Sequence, residues 1–503
     1  MPSPLLDRLA ALAVSDRPAI VAADATLSHR ELAQRADVLA RHLLADHGRP
    51  SLDGARVALL ALPSAAWLIG FVAVLRAGGV VVPLAPSHPE LELRHVLRLA
   101  APVAFLADAT HHDRAVMLAA APVITLADTL TEPVANIEHD LTLPGRDARD
   151  GGLLLTTSGT TGKPKGALLT HANLATQTRL IGEAWGMTDQ DRLLHALPLH
   201  HMHGVVIALL TAFLAGGSVA LRPRFDASEI WETMADVTVW MGVPTMVHRL
   251  LEAYDRADAA TQARWARSAR QLRLAVSGSA ALPVTLAERW RAIAEQIPLE
   301  RFGMTELGVA LSNPLRGPRK AGFVGPALPG VSVRVVDERG EAVKPGEPGE
   351  IQVRGGTVFA GYLGDEEATE RAFRDGWFLT GDTATVDDEG AVKILGRTSV
   401  DILKSGGYKL SALEIEEALR EHPAVADAAV VGVPDETWGQ RVEAAVVLHA
   451  GASTTPDELT RFCRERLAPY KVPRRVVVMA ELPRNLMGKV VKAAVERALA
   501  DHP

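Results

Sequence analysis

Cysteine is almost absent from this chain, since Cys463 is the single cysteine among 503 residues and no disulfide can form within the chain. That scarcity fits a reducing compartment, and we expect a cytoplasmic protein. The chain also lacks a basic run, and its formal net charge is −7. This balance disfavours nucleic acid as a main partner.

Long apolar runs are missing as well. A membrane-spanning helix needs roughly 20 unbroken apolar residues. The most apolar region, 57–86, is interrupted by Pro63, Arg76 and Pro83. The N-terminal residues carry Asp7 early and have no basic segment followed by a sustained apolar stretch, so they are not typical of a signal peptide. We therefore expect a globular protein that is not inserted in a membrane.

Lysine is rare, with 10 residues against 43 arginines. Most of these lysines lie in or beside loops rich in glycine and proline, namely Lys163, Lys165, Lys404, Lys409, Lys471, Lys489 and Lys492. A flexible cation on a loop suits phosphate binding better than a lattice of surface ion pairs.

The pattern of apolar residues predicts an α/β protein. Short apolar runs, as at 56–62, 79–83 and 153–157, alternate with amphipathic helical stretches, which indicates mainly parallel sheets covered by helices. Between 326 and 394 short alternating strands predict a β-rich unit. Beyond it the pattern predicts a small α+β domain. We expect an N-terminal region at 1–396 and a C-terminal domain at 397–503.

The strongest local signal is the sequence TSGTTGKPKG at 157–166, which follows an apolar strand and precedes a helix expected from about Thr170. Its glycines allow backbone N–H groups to approach an anion closely, while its hydroxyls and two lysines add donors and positive charge. The spacing differs from the GxxxxGK[ST] pattern of P-loop proteins. The segment therefore predicts a phosphate-binding loop of another kind.

This loop resembles the signature of the adenylate-forming superfamily, which includes acyl-CoA synthetases, luciferases and peptide-synthetase adenylation domains. Further stretches resembling the superfamily follow in order at 197–204, 300–306, 377–382, 396–397, 404–409 and 483–489. The resemblance implies a large N-terminal region, with two α/β subdomains and a β-barrel-like subdomain, followed by a small, mobile α+β C-terminal domain.

The resemblance also implies an activity. Such enzymes activate a carboxylic acid as its adenylate with ATP and Mg²⁺, form a thioester with coenzyme A, and release AMP and pyrophosphate. The ATP-binding residues it implies are Thr157, Ser158, Gly159, Thr160, Thr161, Gly162, Lys163, Pro164, Lys165, Ser279, Phe302, Asp382, Arg397 and Lys489.

The same resemblance assigns catalytic roles. Lys489 would bridge the attacking carboxylate and the α-phosphate, Glu306 would bind the metal, and Thr305 would contact phosphate. His203 would lie beside the acyl carboxylate. The neighbouring His200 and His201 could suggest a metal cluster, but the absence of nearby cysteine or a second ligand group disfavours it.

Coenzyme A and the movement of the C-terminal domain involve a further set of residues. By resemblance, Gly406, Gly407 and Tyr408 would form a strand along the pantetheine tunnel. Ser399 would be the hinge about which the domain rotates between the two half-reactions. Relatives usually carry Asp or Lys at that position.

Within the superfamily the chain is most similar to malonyl-CoA synthetases, on stretches that include 276–283 and 435–441 outside the shared catalytic motifs. A dicarboxylate places a second carboxylate in the pocket, and an unpaired buried charge costs several kcal/mol. The sequence offers Arg289 and Arg249 as cations that could pair with it. Malonate, and methylmalonate after it, is the expected acid.

Three alternatives stay open at this level. The chain could be a CoA ligase for a short-chain, medium-chain or aryl monocarboxylate, or it could load a carrier-protein thiol. It could also be a non-catalytic nucleotide-binding protein, which the retained Lys489, Glu306 and Asp382 disfavour. The expected partners are small molecules, and the expected state is a monomer or a weak homo-oligomer.

Overall fold

The computed structural model describes residues 1–119, 121–131, 143–157, 165–405, 408–435, 437–484 and 489–502. The helices of these residues are α1 (Pro4–Leu12), α2 (His29–Asp46), α3 (Ala65–Arg76), α4 (Glu90–Ala100), α5 (His112–Leu118), α6 (Asp128–Thr131), α7 (His171–Ala184), α8 (Thr211–Leu214), α9 (Ala227–Thr233), α10 (Pro244–Arg256), α11 (Ala259–Gln271), α12 (Val284–Ala294), α13 (Glu366–Arg371), α14 (Ala412–Arg420), α15 (Pro456–Arg464) and α16 (Lys492–Ala500). A π-helix covers His203–Leu210, and short 3₁₀ segments cover Met234–Asp236 and Pro469–Lys471.

The strands of the same residues are β1 (Pro18–Val21), β2 (Thr26–Ser28), β3 (Arg56–Leu60), β4 (Val80–Pro83), β5 (Ala104–Ala107), β6 (Val123–Thr125), β7 (Gly151–Thr157), β8 (Lys165–Thr170), β9 (Arg192–His195), β10 (Ser218–Leu221), β11 (Val239–Gly242), β12 (Leu274–Ser277), β13 (Leu299–Met304), β14 (Gly308–Ser312), β15 (Ser332–Val336), β16 (Gly349–Arg354), β17 (Gly361–Tyr362), β18 (Phe373–Arg374), β19 (Trp377–Val386), β20 (Val392–Arg397), β21 (Ile402–Ser405), β22 (Tyr408–Ser411), β23 (Val425–Asp435), β24 (Gly439–Leu448) and β25 (Arg475–Val478). They form four sheets, so the predicted α/β fold with a small C-terminal α+β domain is confirmed.

The first sheet has the strand order β17-β8-β7-β4-β3-β5-β6 and is parallel from β7 to β6. The centre of this parallel part is the apolar segment that forms β3, which is buried because helices cover a parallel sheet. Antiparallel β8 is an element that the sequence pattern did not predict. It lies between the phosphate loop and α7, which begins at His171 after a capping box formed by Thr170 and Asn173.

The second sheet has the order β14-β13-β12-β11-β9-β10-β1-β2 and is parallel except at its two edges. The register sets Val276 of β12 opposite Leu299 of β13, and Ser277 opposite Glu300. This pairing brings the loop that follows β12 beside the second half of β13. Parallel strands of such sheets commonly carry binding sites at their carboxyl ends.

The predicted β-rich unit is confirmed as a third sheet, in which β15, β16, β18, β19 and β20 pair in antiparallel fashion. One apolar core connects it with the first two sheets, and buried side chains such as Leu155, Val276 and Ile351 contribute from each of them. The N-terminal region is thus one packed body, since its three sheets share that core.

The C-terminal residues form a fourth sheet, of β21–β25, with its own apolar core under α14 and α15. The side chain of Ser411 donates a hydrogen bond of 2.6 Å to the carbonyl of Leu395 on β20. The main chain of Ala412 in turn donates to the carbonyl of Asp401. These bonds attach the start of α14 to the segment that joins the two regions. None of the helices in the described ranges is long and apolar enough to span a bilayer.

Candidate active site

The predicted phosphate loop joins β7 and β8. Thr157 and Lys165 pair at the end of this hairpin that leads into the loop. The expected contacts Ser158, Gly159, Thr160, Thr161, Gly162, Lys163 and Pro164 lie outside the described residues. The described residues on either side of the loop, Thr157 and Lys165, are therefore cross-strand neighbours.

Lys165 and the predicted metal ligand, Glu306, both contact Tyr362. Nζ of Lys165 lies 4.9 Å from the centroid of the Tyr362 ring, and the hydroxyl of Tyr362 donates a hydrogen bond of 2.9 Å to Oε1 of Glu306. Glu306 is buried in the turn between β13 and β14, and half-buried Thr305 precedes it. Burial raises the pKa of Glu306, while Tyr362 and the charges of Arg397 and Lys165 oppose that rise.

Asp382 and Arg397 face each other across strands β19 and β20. Arg397 Nε lies 3.2 Å from Asp382 Oδ1, and its Nη1 donates a hydrogen bond of 2.7 Å to the carbonyl of Thr380. Burial raises the pKa of Asp382 to about 6, against the lowering effect of the positive charges on Arg397 and Lys489. Lys489 of the C-terminal domain is thus near enough for its charge to act on Asp382.

His203 is the first residue of the π-helix and is buried. Its Nδ1 lies 3.1 Å from Oγ of Ser279, a residue held in the left-handed region at φ 69°. Its Nε2 has no hydrogen-bond partner among the described residues. Burial, followed by the charge of Arg301, lowers the pKa of His203 well below 6.5. The imidazole is therefore neutral at pH 7, with one nitrogen available to a ligand.

His200 and His201 lie beside this residue but form a separate group. Their rings are 4.0 Å apart, and His200 also contacts the ring of His88 at 5.2 Å. Burial lowers the pKa of His200 to about 2 and that of His201 to about 4. Across the described ranges, no three His, Cys, Asp or Glu side chains are grouped so as to hold a metal ion.

Arg301 is a buried cation that was not among the residues expected from the sequence. It lies on β13, is 4% exposed, and its guanidinium covers the backbone of Gly278, where an added Cβ would be 2.5 Å from Cζ. Nε and Nη2 have no hydrogen-bond partner in the part of the chain that the structure describes. Burial lowers the pKa of Arg301 to about 9, so the group is charged at pH 7. The sequence signal that could have identified it is an arginine inside a strand that runs into the stretch 300–306.

The two arginines proposed from the sequence lie elsewhere. Arg289 is exposed on α12, and its Nη2 is 2.6 Å from Oδ2 of Asp255. Arg249 lies on α10 and is also exposed. These positions give neither side chain the desolvated surroundings that a partner for a buried carboxylate needs, so their assignment to the acyl pocket stays a prediction without structural support.

The remaining predicted residues that the structure describes lie on β13, in the turn after β20 and at the start of β22. Phe302 is half-buried on β13, next to Arg301 in the chain. Ser399 is exposed in the turn between β20 and β21, as a hinge would be. Tyr408 is exposed and stacks on Tyr470, with ring centroids 4.2 Å apart. Its predicted companions Gly406 and Gly407 lie outside the described residues.

Comparisons with known proteins agree with this arrangement. The AMP-binding enzyme family matches residues 7–363, and the AMP-binding enzyme C-terminal domain matches residues 414–489. The chain is 40% identical to the mitochondrial malonate–CoA ligase ACSF3 of Mus musculus, over 97% of this chain and 90% of that protein.

Solved structures extend the likeness to the fold. ATP-bound MatB from Rhodopseudomonas palustris has a TM-score of 0.91 and 37% identity, covering 100% of this chain and 99% of that one. A malonyl-CoA ligase ternary product complex with methylmalonyl-CoA and AMP bound has a TM-score of 0.70 at 37% identity, covering 96% of this chain and 100% of that one. With both regions of the fold matched, the chain belongs to the AMP-binding enzyme family.

Proposed function

We propose that this protein is an ATP-dependent, AMP-forming CoA ligase whose acid is malonate. It forms malonyl-adenylate and pyrophosphate from malonate and ATP, and then transfers the malonyl group to the thiol of coenzyme A with release of AMP. The observation that carries the choice of acid is the buried guanidinium of Arg301, with two donors that no described residue meets. The relatives whose names include malonate or malonyl-CoA support the same choice.

The first half-reaction joins two anions, so the site has to supply positive charge where negative charge develops on the α-phosphate. Lys489 supplies it from the C-terminal domain, at a position from which its charge already acts on Asp382. Lys165 and the loop that it closes hold the other phosphates. Asp382 accepts hydrogen bonds from the two ribose hydroxyls, and Phe302 offers its ring to adenine.

Glu306 is the residue that would hold Mg²⁺. Nucleotide-bound Mg²⁺ is commonly held by one or two carboxylates together with the substrate phosphates, so a single buried carboxylate fits the ion. The hydrogen bond from Tyr362 orients that carboxylate through Oε1. When bound with ATP, the metal neutralises phosphate charge. Thr305, beside Glu306, is positioned to contact phosphate.

The second carboxylate of malonate gives the buried guanidinium of Arg301 a partner in the acyl pocket. Arg301 is desolvated, and a lone buried charge costs several kcal/mol unless a partner compensates for it. A monocarboxylate would leave the guanidinium without that partner, whereas the distal carboxylate of malonate pairs with it. Neutral His203, tied to Ser279, lies beside the same guanidinium and faces the carboxylate that reacts.

The second half-reaction needs a path for the thiol of coenzyme A. Gly406, Gly407 and Tyr408 are the residues that would line it, and Ser399 is the hinge about which the C-terminal domain would turn. The TM-score is higher with the ATP-bound structure, at 0.91, than with the product complex, at 0.70. This difference supports an adenylating arrangement of the two regions here. A cytoplasmic location and a monomeric or weakly oligomeric state stay predictions.

The experiment that tests the proposal is an acid panel. The protein is mixed with ATP, Mg²⁺, CoA and one of malonate, methylmalonate, acetate, butyrate or octanoate, and AMP release is followed. We expect malonate to be preferred, with AMP and pyrophosphate as products. A preference for octanoate would contradict the choice of acid, and release of ADP would contradict the adenylating chemistry.

A further inference from the structure

The helix α12 begins without a cap of its own. Its N-cap residue is Pro283, and no side chain of its own segment accepts a hydrogen bond from the first turn. The first N–H groups of a helix lack intrahelical partners and carry partial positive charge. Glu417 of α14 fills this role from the other domain, because its Oε1 accepts a hydrogen bond of 3.0 Å from the main-chain N–H of Thr285.

This contact crosses between the two regions of the protein. Thr285 is the second residue of α12, in the N-terminal region. Glu417 lies in the middle of α14, in the C-terminal domain. The carboxylate of Glu417 is held from behind by Arg420, whose Nη1 lies 3.6 Å away. Only 21% of the Glu417 side chain is exposed. The bond is therefore partly shielded from water, where a charge-assisted hydrogen bond is stronger than at an open surface.

In the chain, α12 comes directly after the loop that we propose as a wall of the acyl pocket. The loop at 278–283 joins β12 to α12, and it contains Gly278, on which Arg301 packs, and Ser279, which binds His203. Leu282 of the same loop donates its main-chain N–H to Glu300, the neighbour of Arg301. Thr285 is thus seven residues from Gly278 and six from Ser279, the two loop residues that contact Arg301 and His203.

We propose that Glu417 is a positioning residue that caps α12 only while the C-terminal domain is turned for adenylation. In that arrangement the cap holds the 278–283 loop against the acyl pocket and holds Lys489 over the nucleotide. When the domain rotates for the CoA reaction, α14 moves away from α12, and the hydrogen bond between Glu417 and Thr285 breaks. This inference rests on the proposed function and on the predicted hinge at Ser399.

The two half-reactions separate this role from a merely structural one. Adenylation is measured as malonate-dependent exchange between ATP and pyrophosphate, and thioester formation is measured from preformed malonyl-adenylate and CoA. For Glu417→Ala we expect adenylation to fall roughly tenfold, the scale of losing a charge-assisted cap. Thioester formation should stay within about twofold of wild type, because the bond is absent from that arrangement.

Two further variants make the test specific. Glu417→Gln keeps an acceptor without the charge, and it should lie between wild type and Glu417→Ala in adenylation. Glu421→Ala removes the pair between Glu421 and Arg466 at the end of the same helix, and it should leave both half-reactions unchanged.

The rates of the two half-reactions in these variants distinguish a positioning role of Glu417 from a structural one. Equal losses in both half-reactions for Glu417→Ala, or an equal adenylation loss for Glu421→Ala, would overturn the proposal and make the bond structural. Unchanged adenylation in Glu417→Ala would overturn it as well. A wild type that fails to exchange pyrophosphate with malonate would instead contradict the proposed function, so the two failures are distinct.

Discussion

The hydroxyl of Tyr362 donates a hydrogen bond of 2.9 Å to Oε1 of Glu306, and this bond ties the short strand β17 to the turn that carries the proposed metal ligand. Burial raises the pKa of Glu306, and the hydrogen bond from Tyr362 opposes part of that rise. Tyr362 thus favours the ionised carboxylate and fixes the orientation of the oxygen that it contacts.

Removal of either partner should change the requirement for Mg²⁺. We expect Tyr362→Phe to raise the Mg²⁺ concentration for half-maximal adenylation roughly tenfold, as is typical when a metal ligand loses its hydrogen-bonded support. Glu306→Gln should raise it further, because the ligand itself is lost. The measurement is adenylation rate against free Mg²⁺ at saturating ATP. An unaltered Mg²⁺ dependence in Glu306→Gln would refute the metal assignment.

Lys489 should matter for one half-reaction only. Its charge acts where the α-phosphate gains negative charge, and loss of one such group typically costs about 10²–10³ in rate. We expect Lys489→Ala to slow malonyl-adenylate formation on that scale while thioester formation from preformed adenylate stays near wild type. Lys471→Ala is the matched control, since Lys471 forms an ion pair with Glu414 in the same domain. Equal loss in both half-reactions would argue against a rotating domain.

The buried Asp382 predicts a dependence on pH. Because its pKa is raised to about 6, the carboxyl is protonated below that pH and ionised above it. Only the ionised form accepts both ribose hydroxyls, so kcat/KM for ATP should fall as the pH drops below about 6. Asp382→Asn should have a low kcat/KM without this inflection. If the inflection persists in Asp382→Asn, another group is responsible for it.

The sequence predicted the motifs of this site better than the contacts among them. Residues such as Glu306 and Asp382 were predicted as site residues from the local pattern of their motifs, and the structure shows that both are buried. The choice between Arg289 and Arg301 depended on tertiary packing instead. The sequence offered Arg289 as an available cation, yet its side chain pairs with Asp255 at the surface.

Arg301 is buried for a reason that no local pattern contains. Its strand β13 lies between β12 and β14, and this pairing sets the guanidinium over Gly278 from a distant part of the chain. Strand β8 was missed on similar grounds, since its short apolar segment follows a loop that was expected to lead straight into a helix. Such non-local pairing is what single-sequence periodicity leaves undetermined.

The most direct test of the account compares kcat/KM for malonate and propionate in wild type, Arg301→Ala and Arg289→Ala. We expect wild type to prefer malonate and Arg301→Ala to lose about 10² or more in kcat/KM for malonate, because a buried carboxylate is left unpaired at a cost of about 3–5 kcal/mol. Propionate, which never used the charge, should change less than about fivefold, and Arg289→Ala should behave as wild type with both acids. An equal loss of kcat/KM for both acids in Arg301→Ala, or a selective loss for malonate in Arg289→Ala, would show that Arg301 is not the partner of the second carboxylate.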